Sequence, residues 1–458
     1  MRIVNLNPDS NIGASAWFAE EAGHGVLLDA GTHPKWEGRS ALPKYDVIRD
    51  EAVDAIALTH CHHDHVGSLP VAAQMFPQAH VLMSELSYYV VDRVLHNSVN
   101  VMIRQRDELG IEGYPLYSHR DVEDLSERFQ GFPYNREVEW MSFDKTRRGL
   151  KSPTLEFFDA GHAIGSAGVL VKWDDRRLFY TGDVCFRDQT LLRGARFDDV
   201  EADVLILETT RGAREVDPEV TRETELRALG KSIQEALERR GCILIPTFAL
   251  GRTQEILAML ALLMEKEEIP RQPVYIGGLG RVFTEIYDQQ AARVNRNHPD
   301  LQLREALDLI VMDKKMSERM KLRGGKLFVL TAGMMTPNTT AHDIGMRMIG
   351  DENQSIFFVG YADPETPAGR LRAAVDGEEF ELSQEAGRVR RNCHLKEFDL
   401  TAHANRDELV DLVGRVKPKT VVLAHGDEEA RQWMASAIKS SHPALSIMQP
   451  GPGESVTV

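Results

Sequence analysis

The sequence is poor in cysteine and contains no long run of apolar residues. Its 458 residues include only four cysteines, Cys61, Cys185, Cys242 and Cys393, and none of them belongs to a CxxC pair. A disulfide scaffold is therefore not expected, and reduced thiols fit a reducing compartment. The longest apolar run, Ile256–Met264, is far shorter than the roughly 20 residues of a transmembrane helix. No membrane-spanning segment is predicted.

An excess of positive charge is also missing. The chain carries 54 basic and 70 acidic residues, and its net charge of −16 argues against tight, nonspecific binding of duplex nucleic acid. A local field in a cleft can still differ from this sum. The N-terminal MRIVNLNPDS lacks the charged and then apolar layout of a signal peptide. We therefore expect a cytoplasmic protein that does not bind membranes.

Short strands separated by turns dominate the first part of the chain. Strand-like runs occur at residues 25–31, 55–60, 80–84, 154–162, 168–173, 177–183 and 203–209. Several of these runs end on a charged residue or a histidine that a turn follows. Open α/β sheets place their chemistry at such strand ends.

The pattern changes near residue 212, where strands begin to alternate with helices. An amphipathic helix with Thr221 as its N-cap precedes a strand at 242–248 and a second helix from Gly251 onward. Further strands at 273–278, 326–333 and 355–361 predict a parallel, doubly wound unit. Short strands return at 397–403 and 420–426. We predict one α/β domain built from residues 1–210 and 395–458, with a second α/β domain, 211–394, inserted into it.

The strongest chemical signal is the run LTHCHHDHVG at residues 58–67. His60 and His62 are two positions apart at the end of an extended run, so both imidazoles point the same way. That arrangement suits two ligands of one zinc ion, and Asp64 and His65 are free to face a second position. A polar loop with chance histidines does not explain this density of ligands. The run predicts a catalytic metal site.

This run resembles the HxHxDH motif of the metallo-β-lactamase superfamily, and four further residues match its other motifs in order: Asp29, His162, Asp183 and His425. The resemblance implies that His162 completes the first zinc site, that His425 completes the second, and that Asp183 bridges the ions. Asp29 would support the ligand loop. The implied fold is an αββα metallo-β-lactamase sandwich that holds two Zn²⁺ ions per chain.

Four later runs resemble the β-CASP nuclease family, the nucleic-acid-cutting branch that includes the polyadenylation-factor endonuclease subunit and its prokaryotic relatives. They are LILETTRG (205–212), PTFALGRTQE (246–255), GYADPETPAGR (360–370) and LTAHANRDEL (400–409). The resemblance implies that the insertion is a β-CASP domain, that Glu208 and His403 are catalytic, and that the substrate is single-stranded RNA in RNA processing or decay. Arg252 and Arg370 lie within these runs, as phosphate contacts or equally as structural ion-pair partners.

The same resemblance implies a mechanism. Two zinc ions activate a hydroxide for in-line attack on the phosphodiester, and Asp64 orients that nucleophile. His403 donates a proton to the departing 3′-oxygen or stabilises charge on the phosphoryl oxygens, while Glu208 orients its imidazole. We therefore expect products with 5′-phosphate and 3′-hydroxyl ends. The route does not use a 2′-hydroxyl, so chemistry alone does not separate RNA from DNA.

Three other functions stay open at this point: a DNA nuclease of the same family, a small-molecule metallo-hydrolase and a noncatalytic scaffold subunit. The insertion with Glu208 and His403 argues against a small substrate. Retention of all seven ligand positions argues against a scaffold. Internal and terminal cutting are both compatible with the sequence, and the family resemblance suggests a homodimer.

Overall fold

The computed structural model describes residues 1–140, 153–383 and 386–458, and the chain forms two compact units. Unit 1 comprises Met1–Arg187, Gly194–Glu215 and His403–Val458, and unit 2 comprises Asp188–Arg193 and Val216–Ala402. The sequence-based boundaries after residues 210 and 394 stay predictions. The compact units divide after Glu215 and after Ala402, and the short segment 188–193 belongs to unit 2.

The chain up to Glu215 contains eleven strands, four α-helices and two 3₁₀ turns among its described residues. The strands are β1 (Arg2–Asn5), β2 (Trp17–Glu21), β3 (His24–Leu28), β4 (Val53–Ala57), β5 (His80–Ser84), β6 (Phe129–Phe132), β7 (Val138–Glu139), β8 (Thr154–Asp159), β9 (Ala167–Trp173), β10 (Arg176–Tyr180) and β11 (Val204–Glu208). The helices are α1 (His63–Val66), α2 (Leu69–Met75), α3 (Glu85–Leu109) and α4 (His119–Ser126), and the 3₁₀ turns are Gly38–Ala41 and Tyr45–Ile48.

Unit 2 and the final segment of unit 1 follow in the chain. The helices are α5 (Arg222–Glu238), α6 (Arg252–Glu265), α7 (Gly278–Gln289), α8 (Leu303–Ala306), α9 (Lys314–Arg319), α10 (Thr340–Met348), α11 (Pro367–Ala373), α12 (Arg406–Val416) and α13 (Glu428–Ser441). The strands are β12 (Ile243–Pro246), β13 (Val274–Gly277), β14 (Leu309–Met312), β15 (Leu327–Leu330), β16 (Ser355–Phe358), β17 (Glu379–Ser383), β18 (Gly387–Arg390), β19 (His394–Glu397), β20 (Thr420–Ala424), β21 (Ser446–Met448) and β22 (Ser455–Thr457). No helix of the described chain is long and apolar enough to cross a membrane.

Unit 1 is built on two seven-stranded sheets. Their strand orders are β22-β1-β2-β3-β4-β5-β6 and β21-β20-β11-β10-β9-β8-β7. Each sheet is antiparallel at one end and parallel at the other. In the first sheet the strands from β22 to β3 are antiparallel and those from β3 to β6 are parallel. In the second sheet the strands from β7 to β10 are antiparallel and those from β10 to β21 are parallel. Trp17 of the first sheet and Phe157 of the second belong to one buried cluster between the sheets. This is the αββα sandwich that the sequence predicted.

Helices cover the outer faces of the sandwich. In the second sheet, Leu205 and Leu423 face a second buried cluster that includes Leu412 of α12 and Met434 of α13. In the first sheet, α3 packs on β5 and β6. Ser84 caps the start of α3 by accepting a hydrogen bond from the Ser87 amide. Each fully buried aliphatic side chain contributes about 1.5–3 kcal/mol of transfer free energy, so packing between the four layers is a large source of stability.

Unit 2 has a six-stranded parallel sheet, ordered β14-β13-β15-β12-β16-β19, with β17 and β18 as a separate hairpin. This confirms the parallel unit predicted from the alternating strands and helices. The predicted helix after Thr221 is α5, and the Thr221 hydroxyl accepts a hydrogen bond from the Thr224 amide. The four cysteines of the chain are free and buried.

The predicted strand at 397–403 is wrong. Strand β19 ends at Glu397 and pairs with β16 in the sheet of unit 2. After it, the carbonyl oxygens of Leu400 and Thr401 accept hydrogen bonds from the guanidinium groups of Arg252 and Arg222. Because side chains occupy these carbonyls, they are not available to a neighbouring strand. The strand therefore ends at Glu397, although the alternation of apolar and polar residues continues.

Candidate metal centre

The predicted ligands lie where strands of unit 1 end. His60 follows β4, His162 follows β8, Asp183 follows β10 and His425 follows β20. Helix α1 supplies Asp64 and His65 directly after the run that carries His60 and His62. The structure thus brings together side chains from four separate loops, at the sheet edge where parallel strands end.

A first group consists of His60, His62, His162 and Asp183, whose ligand atoms all lie within 4.8 Å of one another. His62 Nδ1 is 3.0 Å from His60 Nε2 and 3.1 Å from His162 Nε2. Asp183 Oδ2 is 3.7 Å from the same two Nε2 atoms. Three imidazole nitrogens and one carboxylate oxygen therefore converge on one point.

A second group consists of Asp64, His65 and His425, which meet the same distance criterion. Asp64 Oδ2 is 3.3 Å from His425 Nε2 and 3.9 Å from His65 Nε2. The other oxygen of Asp183, Oδ1, is 3.5 Å from His65 Nε2 and 3.1 Å from His425 Nδ1. The carboxylate of Asp183 thus presents one oxygen to each group.

The residues present fit a pair of metal ions. His65 Nε2 and Asp183 Oδ1 are buried and have no hydrogen-bond partner among the described residues. A buried polar atom without a partner costs about 1–3 kcal/mol, so such atoms normally mark a missing ligand. Imidazole and carboxylate are donors that zinc and related divalent ions accept. A cation in the second group would satisfy both atoms.

The electrostatics of the centre favour cations. Burial lowers the pKa of His60 well below its ordinary value, and the neighbouring imidazole of His65 lowers it further. A neutral imidazole is the form that binds metal. Burial alone would lower the pKa of His65 as well, but the carboxylates of Asp183, Asp29 and Asp64 raise it to about 10. The potential at His65 is therefore strongly negative, which attracts positive charge.

Asp29 supports the ligand run from behind. It is fully buried with φ at +62°, and it accepts hydrogen bonds from the Thr59 amide at 2.7 Å and the Thr59 hydroxyl at 2.8 Å. Its Oδ2 is also 2.8 Å from His65 Nδ1. This contact directs His65 Nε2 toward the second group. Asp29 is thus placed as the predicted supporting residue.

A glycine allows the ligand turn to come close. A Cβ atom at Gly31 would lie 1.7 Å from the carbonyl oxygen of Asp64, which itself accepts a hydrogen bond from the Ser15 amide. Any side chain at Gly31 would therefore push helix α1 away. The resulting shift would separate Asp64 and His65 from the other ligands.

Glu208 and His403 form a pair beside the metal-ligand groups. Glu208 is 1% exposed, and both of its carboxylate oxygens lie 3.3 Å from His403 Nδ1. Glu208 also accepts hydrogen bonds from the amides of Val184 and Thr210, which fix the carboxylate. The His403 ring is 4.7 Å from that of His162, and Asp183, Glu208 and His403 have ligand atoms within 4.8 Å of one another.

The two predicted phosphate contacts differ in their surroundings. Arg252 is 8% exposed and donates hydrogen bonds to the Leu400 carbonyl and the Gln189 side chain, all within unit 2. Arg370 lies in α11, is half-buried, and forms no ion pair with a described residue. Phosphate binding by either arginine stays a prediction. His63 points away from the ligands, toward the Ser98 hydroxyl at 3.1 Å.

The sequence reasoning missed two threonines that contact ligands. The Thr59 hydroxyl lies 3.1 Å from His60 Nδ1 while it donates to Asp29, and the Thr210 hydroxyl lies 3.1 Å from His425 Nδ1. Such contacts orient a ligand imidazole and set its tautomer. Only their positions in the sequence could have pointed to these threonines, because Thr59 directly precedes His60 and Thr210 follows Glu208 by two residues.

Three family models match successive parts of the chain. Residues 11–229 match the metallo-beta-lactamase superfamily, residues 253–371 match the beta-CASP domain, and residues 388–445 match the Zn-dependent metallo-hydrolase RNA specificity domain. The matches follow one another in the order that the motifs predicted. The third match falls on the segment that includes His403 and His425.

Curated relatives are similar to the chain over nearly its whole length. "Endoribonuclease YSH1" of Candida glabrata is 25% identical over 97% of this chain and 57% of its own length. "Cleavage and polyadenylation specificity factor subunit 3" of Dictyostelium discoideum is 25% identical over 100% and 57%. "Endoribonuclease ysh1" of Emericella nidulans is 27% identical over 96% and 52%. The chain therefore spans little more than half the length of these relatives.

A solved structure shares the fold. The crystal structure of a protein of unknown function from Enterococcus faecalis V583 superposes with a TM-score of 0.57 and 13% sequence identity, and the match covers 100% of this chain and 99% of that one. At this identity the likeness concerns the arrangement of the backbone. It extends through both compact units.

Proposed function

Because this chain belongs to the metallo-β-lactamase superfamily and carries a β-CASP domain, we propose that it is a metal-dependent endoribonuclease that cuts single-stranded RNA in RNA processing or decay. The observation that carries this proposal is the Glu208–His403 pair beside two convergent groups of metal-ligating side chains. A phosphodiester hydrolase needs both features, one to activate water and one to serve the leaving oxygen.

Seven side chains would hold the metal, which we propose to be two zinc ions: His60, His62, Asp64, His65, His162, Asp183 and His425. When bound, the ions would supply Lewis acidity for the phosphodiester and lower the pKa of a water molecule. Asp183 would contact both ions, since one of its oxygens faces each group. Asp29 would hold His65 in the orientation that ligation needs.

Asp64 and His403 divide the proton transfers in this proposal. Burial alone would raise the pKa of Asp64, but the charge of His65 and the hydrogen bond from His425 lower it below the ordinary value. Asp64 therefore stays a carboxylate, able to orient a nucleophile. His403 would donate a proton to the departing 3′-oxygen, while Glu208 faces Nδ1 and orients the ring.

The substrate assignment draws on the relatives. Their printed names describe endoribonucleases and a cleavage and polyadenylation factor subunit, and the RNA specificity domain matches residues 388–445. A metal site reached by a single strand also suits unpaired RNA, whose bases and backbone are not held in a helix. DNA is the alternative polymer, because the residues described above do not require a 2′-hydroxyl.

The test is cleavage of matched single-stranded RNA and DNA, each labelled at either end, by the wild type, by His403→Ala and by His298→Ala. His298 lies in unit 2, and its backbone carbonyl accepts a hydrogen bond from the Leu301 amide. The substitution His298→Ala keeps that backbone contact, so it controls for the removal of an imidazole side chain. We expect internal RNA fragments with 5′-phosphate and 3′-hydroxyl ends from the wild type and the control variant only. Metal analysis and light scattering test the zinc content and the predicted homodimer.

Each contrary outcome selects another function. Cleavage of DNA alone would make the protein a DNA nuclease, and stepwise loss of terminal nucleotides would make it an exonuclease. Ends that carry 2′,3′-cyclic phosphate would overturn the roles given to the metal centre and to His403. A protein that holds two metal ions but cuts neither polymer would be a small-molecule hydrolase. A protein that binds no metal would be a scaffold subunit.

A further inference from the structure

A segment of unit 2 has a charge opposite to that of the chain as a whole. Between β14 and β15, residues 313–326 contain six basic and two acidic residues, whereas the whole chain has a net charge of −16. The six basic residues are Lys314, Lys315, Arg319, Lys321, Arg323 and Lys326. They belong to α9 and to the loop that follows it.

The positive charge of this segment is accessible and unpaired. Five of its basic side chains are exposed, and none of the five forms an ion pair with a described residue; they are Lys314, Lys315, Arg319, Lys321 and Arg323. Two other exposed arginines of unit 2 differ, since Arg281 pairs with Glu285 and Arg390 pairs with Glu379. An exposed ion pair is worth little, but its partner cancels the local field. The field of residues 314–323 is not cancelled in this way.

The backbone that carries these charges is held in place. Asp313 caps α9 by accepting a hydrogen bond from the Met316 amide. The guanidinium of Arg347 donates to the carbonyl oxygens of Ser317 and Met320, the Gln354 side chain donates to the Leu322 carbonyl, and the Gly324 amide donates to the Arg240 carbonyl. The cations therefore project from a preformed surface, which reduces the entropy lost when a partner binds.

We propose that residues 314–323 of unit 2, none of which belongs to the metal-ligand groups, form a binding strip for the phosphate backbone of single-stranded RNA. This inference rests on the proposed function for the identity of the polymer. A polyanion is repelled by an acidic chain, so a stable complex needs a local surface of the opposite sign. A series of lysines and arginines along one exposed segment provides repeated contacts for evenly spaced phosphates. Met316, whose side chain is 36% exposed, is the one large apolar residue exposed in this described segment. Insertion into a membrane needs a larger apolar surface, so the strip does not fit a membrane anchor.

The test compares two charge-matched variants. The strip variant carries Lys314→Gln, Lys315→Gln, Arg319→Gln, Lys321→Gln and Arg323→Gln. The control variant replaces five exposed cations elsewhere in unit 2, with Arg227→Gln, Lys231→Gln, Lys266→Gln, Arg271→Gln and Arg304→Gln. Both variants lose five positive charges, so the net charge changes equally. Circular dichroism and thermal melts check that both keep the fold.

Binding is measured by fluorescence anisotropy with labelled oligouridylate, in a His403→Ala background that prevents cleavage. Each phosphate contact contributes a slope of about −0.7 to log K against log[salt] for single strands. Five contacts give a slope of about −3.5, so raising the salt from about 50 to 200 mM weakens binding about 100-fold through the strip alone. We expect the strip variant to lose most of this slope and the control variant to keep it.

Cleavage assays separate this inference from the proposed function. The strip variant should cut an RNA of a few nucleotides at the wild-type rate but show a raised KM on long RNA. Equal slopes in the strip and control variants would overturn the strip while leaving the nuclease intact. If the wild type cuts no RNA but the strip and control variants still differ in the salt dependence of binding, the nuclease proposal is refuted and the strip remains a nucleic-acid-binding surface. Polyglutamate binding as tight as RNA binding would make the ligand an acidic protein and overturn RNA.

Discussion

Replacing Glu208 with glutamine removes one negative charge from the candidate site and keeps the shape of the side chain. The Glu208→Gln side chain retains one oxygen, which can still accept from the buried Val184 amide, whereas the Thr210 amide loses its acceptor. What changes is the contact with His403 Nδ1, 3.3 Å from each carboxylate oxygen. A charged hydrogen bond becomes a neutral one, and the imidazolium form of His403 loses its stabilisation.

The size of this effect follows from the burial of the pair. Glu208 is 1% exposed, so solvent screens the contact little. Hydrogen bonds to charged groups contribute about 1.5–3 kcal/mol and neutral ones about 0.5–1.5 kcal/mol, a difference of about 1–2 kcal/mol. We therefore expect kcat to fall about 5- to 30-fold. The melting temperature should change by only a few degrees.

A double-mutant cycle is the decisive assay. If Glu208 acts through His403, Glu208→Gln should lower kcat in the wild type but have almost no effect in His403→Ala. Single-turnover cleavage of end-labelled RNA gives the rates, and metal analysis checks that the ion content stays the same. An equal loss in both backgrounds would refute the pairing. Loss of a metal ion in Glu208→Gln would show that Glu208 is a ligand, and the cycle would no longer report proton transfer.

Three further predictions concern the supports of the centre. Asp29→Asn should weaken metal affinity about 10- to 100-fold, because His65 loses its charged partner; competition with a fluorescent chelator measures this, and unchanged affinity would contradict the role. Gly31→Ala should abolish metal binding, because its Cβ would meet the Asp64 carbonyl oxygen. In Gly23→Ala the Cβ meets nothing within 4 Å, so this variant should bind metal and lose only about 1 kcal/mol of unfolding free energy in denaturant titrations. Equal behaviour of the two variants would refute the close approach to Asp64. Burial raises the pKa of Asp159 to about 6, so its ionisation between about pH 4 and pH 6 removes stability; Asp159→Asn should therefore gain about 2 kcal/mol over the wild type at pH 8 relative to pH 4 in urea titrations, and a gain that is the same at both values would refute the raised pKa.

The sequence predicted the local parts of the site better than the distant ones. His60, His62, Asp64 and His65 occur within six residues, so strand geometry and ligand chemistry were enough to group them. His162, Asp183 and His425 could be assigned only through the resemblance, because spacing does not reveal which distant loops meet. The paired sheets were predictable from motif order. The ligand roles themselves remain predictions until metal is measured.

The failures have a common physical origin. Residues 397–403 alternate like a strand, yet Arg252 and Arg222 bind the carbonyls that a neighbouring strand would need. Phosphate binding by Arg252 stays a prediction, but its contacts with Leu400 and Gln189, which are far away in the chain, could not be predicted from its motif. Long-range side-chain to backbone bonds of this kind have no local sequence signal. The same applies to the segment 188–193, which joins unit 2.

The pairing of β11 with β20 also sets the order of events during synthesis. These two strands are adjacent in the second sheet, with Glu208 opposite Ala424, yet the main part of unit 2, Val216–Ala402, lies between them in the chain. As the polypeptide leaves the ribosome, β11 has an open edge until β20 is made, and unit 2 has time to fold first. His425 follows β20 directly, so the last ligand arrives with the strand that closes this edge. An unfinished chain therefore lacks the complete set of predicted ligands, and the proposed hydrolysis has to wait until the sheet is closed.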